Sequence, residues 1–151
     1  GAFGIAGAAG ALAAPMAGHL ADKVGAAKVT QLGALLVTVS FALMFLLPAL
    51  PVQGQWLLIA LSAVGFDLGL QSSLVAHQNL VYSLEPLARG RLNALLFTMV
   101  FIGMSLGSVL GSQVYALANW EGVVALATFS SAIALVIRLT GNPSLSKTSV
   151  A

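Results

Sequence analysis

The sequence predicts an all-α fold, a polytopic bundle of transmembrane helices, and three observations carry that prediction. First, 59% of the 151 residues are hydrophobic and only 7% are charged, with a mean hydropathy of +1.01. Soluble domains carry about 25% charged residues, so this chain could not cover a water-facing surface. Second, five apolar stretches reach or approach the ~20 residues that span a bilayer as a helix. Third, all six basic residues fall in alternate connections. Lys23 and Lys28 follow the first stretch, Arg89 and Arg91 separate the third from the fourth, and Arg138 and Lys147 follow the fifth. Residues 48–55 and 119–122 contain no Lys or Arg. This is the positive-inside alternation, and it places residue 1 outside and the C-terminus in the cytoplasm of a plasma (inner) membrane.

The elements follow in order. Residues 1–17 form the remainder of a first span, which begins without Met inside an apolar run and so reads as cut within a helix. Residues 29–47 form the second span, closed by Pro48 and Pro51. Residues 56–82 form the third, 92–118 the fourth and 123–139 the fifth. Together, residues 1–140 make one transmembrane domain. Residues 141–151, with Pro143 and several Ser and Thr, read as a polar, disordered cytoplasmic tail. Strands are excluded because the runs are long, rich in Ala and Leu, and do not alternate. Trp56 and Trp120 stand at the expected outer ends, and Tyr82 and Tyr115 lie near helix ends, where amphipathic rings meet headgroups.

Composition and motifs exclude several classes of function. No cysteine is present, which removes disulfides, thiolate metal sites and a cysteine nucleophile. No basic stripe or interleaved aromatics suggest nucleic acid. His19 and His77 have no metal-ligand spacing, and no cofactor motif occurs. Gly103-Met104-Ser105-Leu106-Gly107 matches the G-x-S-x-G elbow of hydrolases, but it lies within a predicted helix and no His follows Ser105. The chain is therefore not expected to be an enzyme. Gly103, Gly107 and Gly111 instead repeat every four residues, the spacing that lets membrane helices approach closely.

Asp67 is the one ionisable group deep within a full span. It lies eleven residues from Trp56, roughly 17 Å at 1.5 Å per residue and close to mid-bilayer. A charge there costs at least about 2.5 kcal/mol, so it should face protein or water. Gln71 and Gln78 fall within about 40° of it on a helical wheel. The three form one polar stripe, a candidate proton or substrate site, set against the plainer reading of a structural acid bonded to a neighbouring helix.

Two strings carry a resemblance. Gly18-His19-Leu20-Ala21-Asp22-Lys23-Val24-Gly25 is similar to the cytoplasmic signature G-x-L-A-D-[RK]-x-G of the major facilitator superfamily. Gly18, Asp22, Lys23 and Gly25 are its matching positions. Ala26 and Ala27 stand where the family usually continues with two basic residues, with Lys28 next in line. The stretch 84–94, including Arg89, Arg91 and Asn93 in a cytoplasmic loop, resembles the connection between helices ten and eleven of drug- and sugar-efflux members. Asp67-Leu68-Gly69-Leu70-Gln71 and Gln78-Asn79 resemble their helix ten. The resemblance covers nearly the whole chain, as helices eight to twelve of the twelve-helix fold.

That resemblance implies part of the C-terminal six-helix half of a secondary active transporter, most simply a proton-coupled exporter of a small organic molecule working by alternating access. Its partners would be the lipid bilayer, the missing N-terminal half of the same transporter, the small-molecule substrate and protons. The alternative is a non-transporting membrane scaffold or assembly subunit, in which polar residues inside the spans serve only as packing glue.

Overall fold

A computed structural model describes His19 and residues 23–141. The expectations for the first span, for Gly18 and Asp22, and for the tail beyond Gly141 lie outside the described residues. Within them the chain is all helical. Helix α1 (Ala26–Leu43) runs into a 3-10 turn at Met44–Ala49, α2 spans Val52–Leu84, a second 3-10 turn covers Pro86–Ala88, and α3 spans Arg89–Thr140.

The turns explain where helices begin. Gly25 caps α1 at φ 89°, a left-handed conformation open to glycine and strained for most other residues. Pro51 caps α2, where its missing N–H costs nothing. Pro48 lies inside the 3-10 turn, so the second span tightens before it ends. Arg89, Arg91 and Asn93, expected in a loop, belong to the first turns of α3, and the connection shrinks to Glu85 and the 3-10 turn.

Helix α3 has 52 residues. A straight helix of that length would reach roughly 78 Å, more than twice the ~30 Å hydrocarbon core. It is broken at Asn119, whose φ of 54° and ψ of −152° are non-helical. The limbs before and after it double back on each other. Gly107 and Ser131, which would stand roughly 36 Å apart on an unbroken helix, line one cleft of about 420 Å³ together with Val37 and Phe41 of α1. The break falls at the polar connection predicted at 119–122, and it divides one long apolar element into two limbs.

Helices α1 and α2 pack antiparallel on small residues. Val29 meets Ala76, Gly33 meets Gly69 and Ser73, and Ser40 meets Gly65. A Cβ on Gly33 would lie 2.6 Å from the carbonyl oxygen of Gly69, and one on Gly69 would lie 2.6 Å from that of Gly33. The reciprocal approach requires glycine at both positions. Lipid tails supply no hydrophobic drive between helices, so such close backbone contact is a main source of association. Phe41 and Phe66 continue the seam, their ring centroids 5.2 Å apart.

Polar contacts tie the rest together. Tyr82 donates its hydroxyl to Asn93 Oδ1 at 2.6 Å, bridging α2 and α3 across their short connection. Arg138 Nε donates to Thr30 Oγ1 at 2.5 Å, joining the end of α3 to the start of α1. One end of the bundle therefore collects the start of α1, the end of α2 and both termini of α3, and with them Lys28, Arg89, Arg91 and Arg138. The opposite end holds the turn at 44–51 and Asn119.

Few large side chains are buried. Leu32, Leu35, Val39 and Leu43 of α1 are all more than 40% exposed, and with Lys28 at their head they fall within about 80° of one another on the helix. An apolar stripe under a cation suits a face lying in lipid, with Lys28 reaching to the headgroups.

Candidate functional site

The site is built on α2, whose close packing on α1 fixes which way its polar stripe faces. Ser62, Gly65, Gly69, Ser73 and Ala76 form the α1-facing side. At 100° per residue they lie between about 160° and 240° from Asp67. Asp67 therefore points away from α1, and Gln71 and Gln78, about 40° and 20° from it, share its direction. Asp67, Gln71 and Gln78 are all partly buried.

Asp67 carries the feature that matters chemically. Its Oδ2 is buried and accepts no hydrogen bond. Burying a carboxylate oxygen without a donor is costly, and most buried polar atoms in proteins are satisfied. Ser62 Oγ and Thr128 Oγ1 are also buried without partners, but they are neutral hydroxyls and cost less to leave so. Among the described residues, no hydrogen bond joins Asp67 to a neighbouring helix, the arrangement a purely structural acid would call for.

The stripe is otherwise apolar at its edges. Ala63, Val64, Leu70 and Leu74 fall within about 60° of Asp67. His77 lies ten residues further along α2 and is exposed; its Nδ1 donates to the Ser73 carbonyl at 2.7 Å. No group of three or more His, Cys, Asp or Glu able to hold a metal occurs among the described residues.

The other predicted positions are placed less centrally. Lys23, Arg89 and Arg91 are exposed at the basic end, and Asn93 is occupied by Tyr82. A Cβ added to Gly103, Gly107 or Gly111 would meet nothing within 4 Å, so no described helix packs closely on that face. The closest packing lies instead at Gly33 and Gly69, which the sequence reading passed over. Gly65, Gly69 and Ser73 repeat every four residues and could have flagged it by the same rule. The Arg138–Thr30 and Tyr82–Asn93 contacts left no comparable signal.

A helical bundle of long apolar segments, basic at one end and carrying a single mid-span carboxyl with an unpartnered oxygen, is that of a multi-pass membrane protein. The family model of the major facilitator superfamily matches residues 2–150, and the chain belongs to that superfamily. Over 109 residues, 71% of this chain, it is 32% identical to the uncharacterized transporter YgaY of Escherichia coli O157:H7 and, equally, to YgaY of Escherichia coli strain K12. The matched stretch makes up 26% of the length of these relatives. No solved structure matches the chain.

Proposed function

We propose that this chain supplies helices eight to twelve of a proton-coupled exporter of a small organic molecule, seated in the inner membrane with its C-terminus in the cytoplasm. The remaining helices of the transporter would complete the substrate path, and the two halves would rock to expose it to each side in turn. Asp67 is the proton-carrying group of the reading. Its buried, unpartnered Oδ2 is the observation that carries the proposal. An ionisable residue at that depth is rare and typically faces a protein interior or a water-filled path, where it marks a route for protons or substrate. Gln71 and Gln78 extend a neutral polar track along the same side of α2.

The test compares wild type with Asp67→Asn in the intact transporter, reconstituted in liposomes. The amide keeps the shape of the side chain and cannot release a proton. Substrate flux driven by an imposed pH gradient should be lost, while substrate exchange without a gradient should persist. Unchanged gradient-driven flux would reduce Asp67 to a structural residue.

A further inference from the structure

We infer that the cleft between α1 and the two limbs of α3 holds an anionic phospholipid, with its phosphate on Arg138 and an acyl chain in the apolar space beneath, whatever molecule the transporter carries. Depth puts Arg138 at the right level. It lies nineteen residues beyond the break at Asn119, roughly 28 Å at 1.5 Å per residue. The hydrocarbon core is about 30 Å thick. With Asn119 at one boundary, the guanidinium therefore stands among the headgroups of the other.

The side chain is held in place there. Its Nε donates to Thr30 Oγ1. Thr30 is only 1% exposed, and its hydroxyl is fixed in turn by donating to the Ala27 carbonyl. The Nε contact uses one of the five guanidinium N–H groups. The four on the two Nη atoms form a planar fork that matches phosphate oxygens.

The same two helix faces lead from Arg138 into the cleft. Val37 follows Thr30 by seven residues on α1, and Ser131 precedes Arg138 by seven on α3. Each lies about 20° around its helix from the polar residue above it and roughly 10 Å deeper in the membrane. Phe41 and Ala127 continue these two walls, and Gly107 and Gly111 add a third without side chains. Basic pockets between membrane helices take anionic headgroups, and this one has a hydrocarbon slot directly below its cation. Size favours a chain over a further helix. A spanning helix about 10 Å across and about 30 Å long occupies roughly 2,400 Å³, whereas the cleft holds about 420 Å³. Gly107, Leu110 and Ser130 on its rim are exposed, so the slot is open along its side.

The experiment measures lipid binding to the intact transporter by native mass spectrometry, with the detergent-purified protein titrated with dioleoylphosphatidylglycerol or dioleoylphosphatidylcholine. One basic residue near an anionic lipid should favour phosphatidylglycerol by about fivefold or more. Arg138→Ala and Arg138→Gln should remove that preference while binding phosphatidylcholine as before, which separates lost charge from misfolding. Ser131→Leu fills the slot and leaves Arg138 in place, and it should weaken phosphatidylglycerol binding by about fivefold as well. Arg91→Ala takes an equal charge from the same end of the bundle, outside the cleft, and should change nothing. Glycerol phosphate, a headgroup without chains, should not compete. Equal binding of the two lipids to wild type, as when another helix of the transporter covers the cleft, would overturn the inference. So would undiminished phosphatidylglycerol binding to the Arg138 variants or to Ser131→Leu, an equal loss in Arg91→Ala, or competition by glycerol phosphate.

Discussion

At the scale of single residues, the backbone angles single out two positions. Asn119 adopts φ 54° and ψ −152°, a region that glycine enters freely and other residues occupy at a cost of about 1–3 kcal/mol. Asn119→Gly should therefore raise the thermal unfolding temperature of the protein in detergent. A lowered temperature would mean that the asparagine side chain does more for the turn than its backbone costs. Gly25 is the converse case. Its φ is 89° and nothing lies within 4 Å of where a Cβ would stand, so Gly25→Ala should destabilise through the backbone alone, by roughly 1 kcal/mol. Asp67 was legible in the sequence because depth in a span follows from counting residues. The orphaned state of its Oδ2 was not, since hydrogen bonding depends on which neighbours the tertiary packing supplies.

At the scale of elements, the apolar runs located the helices well and their ends less well. Residues 29–47 became α1 with its 3-10 turn, and 56–82 became α2 at Val52–Leu84. Helices continue past the hydrocarbon boundary into polar residues, so hydropathy underestimates them at both ends. The fourth and fifth stretches fall within a single helical element divided at Asn119, and only its length against the bilayer forces the break. The packing seam was harder to read. Every-fourth-residue spacing marks Gly103, Gly107 and Gly111 as well as Gly65, Gly69 and Ser73, and nothing local says which set meets a neighbour. Gly69→Ala places a methyl 2.6 Å from the Gly33 carbonyl oxygen. Backbone must then shift, and overpacking of this kind costs about 1–3 kcal/mol. Its expected signature is a lower thermal midpoint in detergent with less folded protein in the membrane. Gly107→Ala should be neutral with respect to the described helices, while Gly107→Leu in the intact transporter should destabilise it where further helices close on that face. Full stability of Gly107→Leu would mean that no further helix closes on that face, the side chain being taken up by lipid or by the cleft Gly107 shares with Val37 and Phe41.

At the scale of the whole molecule, the antiparallel pairing of α1 with α2 and the return of α3 gather Lys28, Arg89, Arg91 and Arg138 at one end. No contact between helices can be read from the residues alone, yet charge alternation anticipated this gathering, because the positive-inside rule acts on connections and is independent of how helices pack. With no native cysteine in the chain, single cysteines report its topology directly. A membrane-impermeant thiol reagent added outside intact cells should label Gln53→Cys and leave Lys23→Cys and Arg89→Cys untouched. Outside labelling at 23 or 89 would invert the orientation.

On the proposed function, the Asp67, Gln71, Gln78 stripe borders a water-filled path that opens to each side of the membrane in turn. Gln71→Cys tests it most directly, since that position neighbours Asp67 without replacing it. Vesicles of right-side-out and inside-out orientation are treated with an impermeant maleimide, and labelling is followed as a pH gradient is imposed in either direction. The cysteine should react from both sides, reversing the gradient should change which side reacts faster, and bound substrate should protect it. A cysteine that reacts from neither side under any gradient would place the stripe against packed helix or lipid and contradict the account.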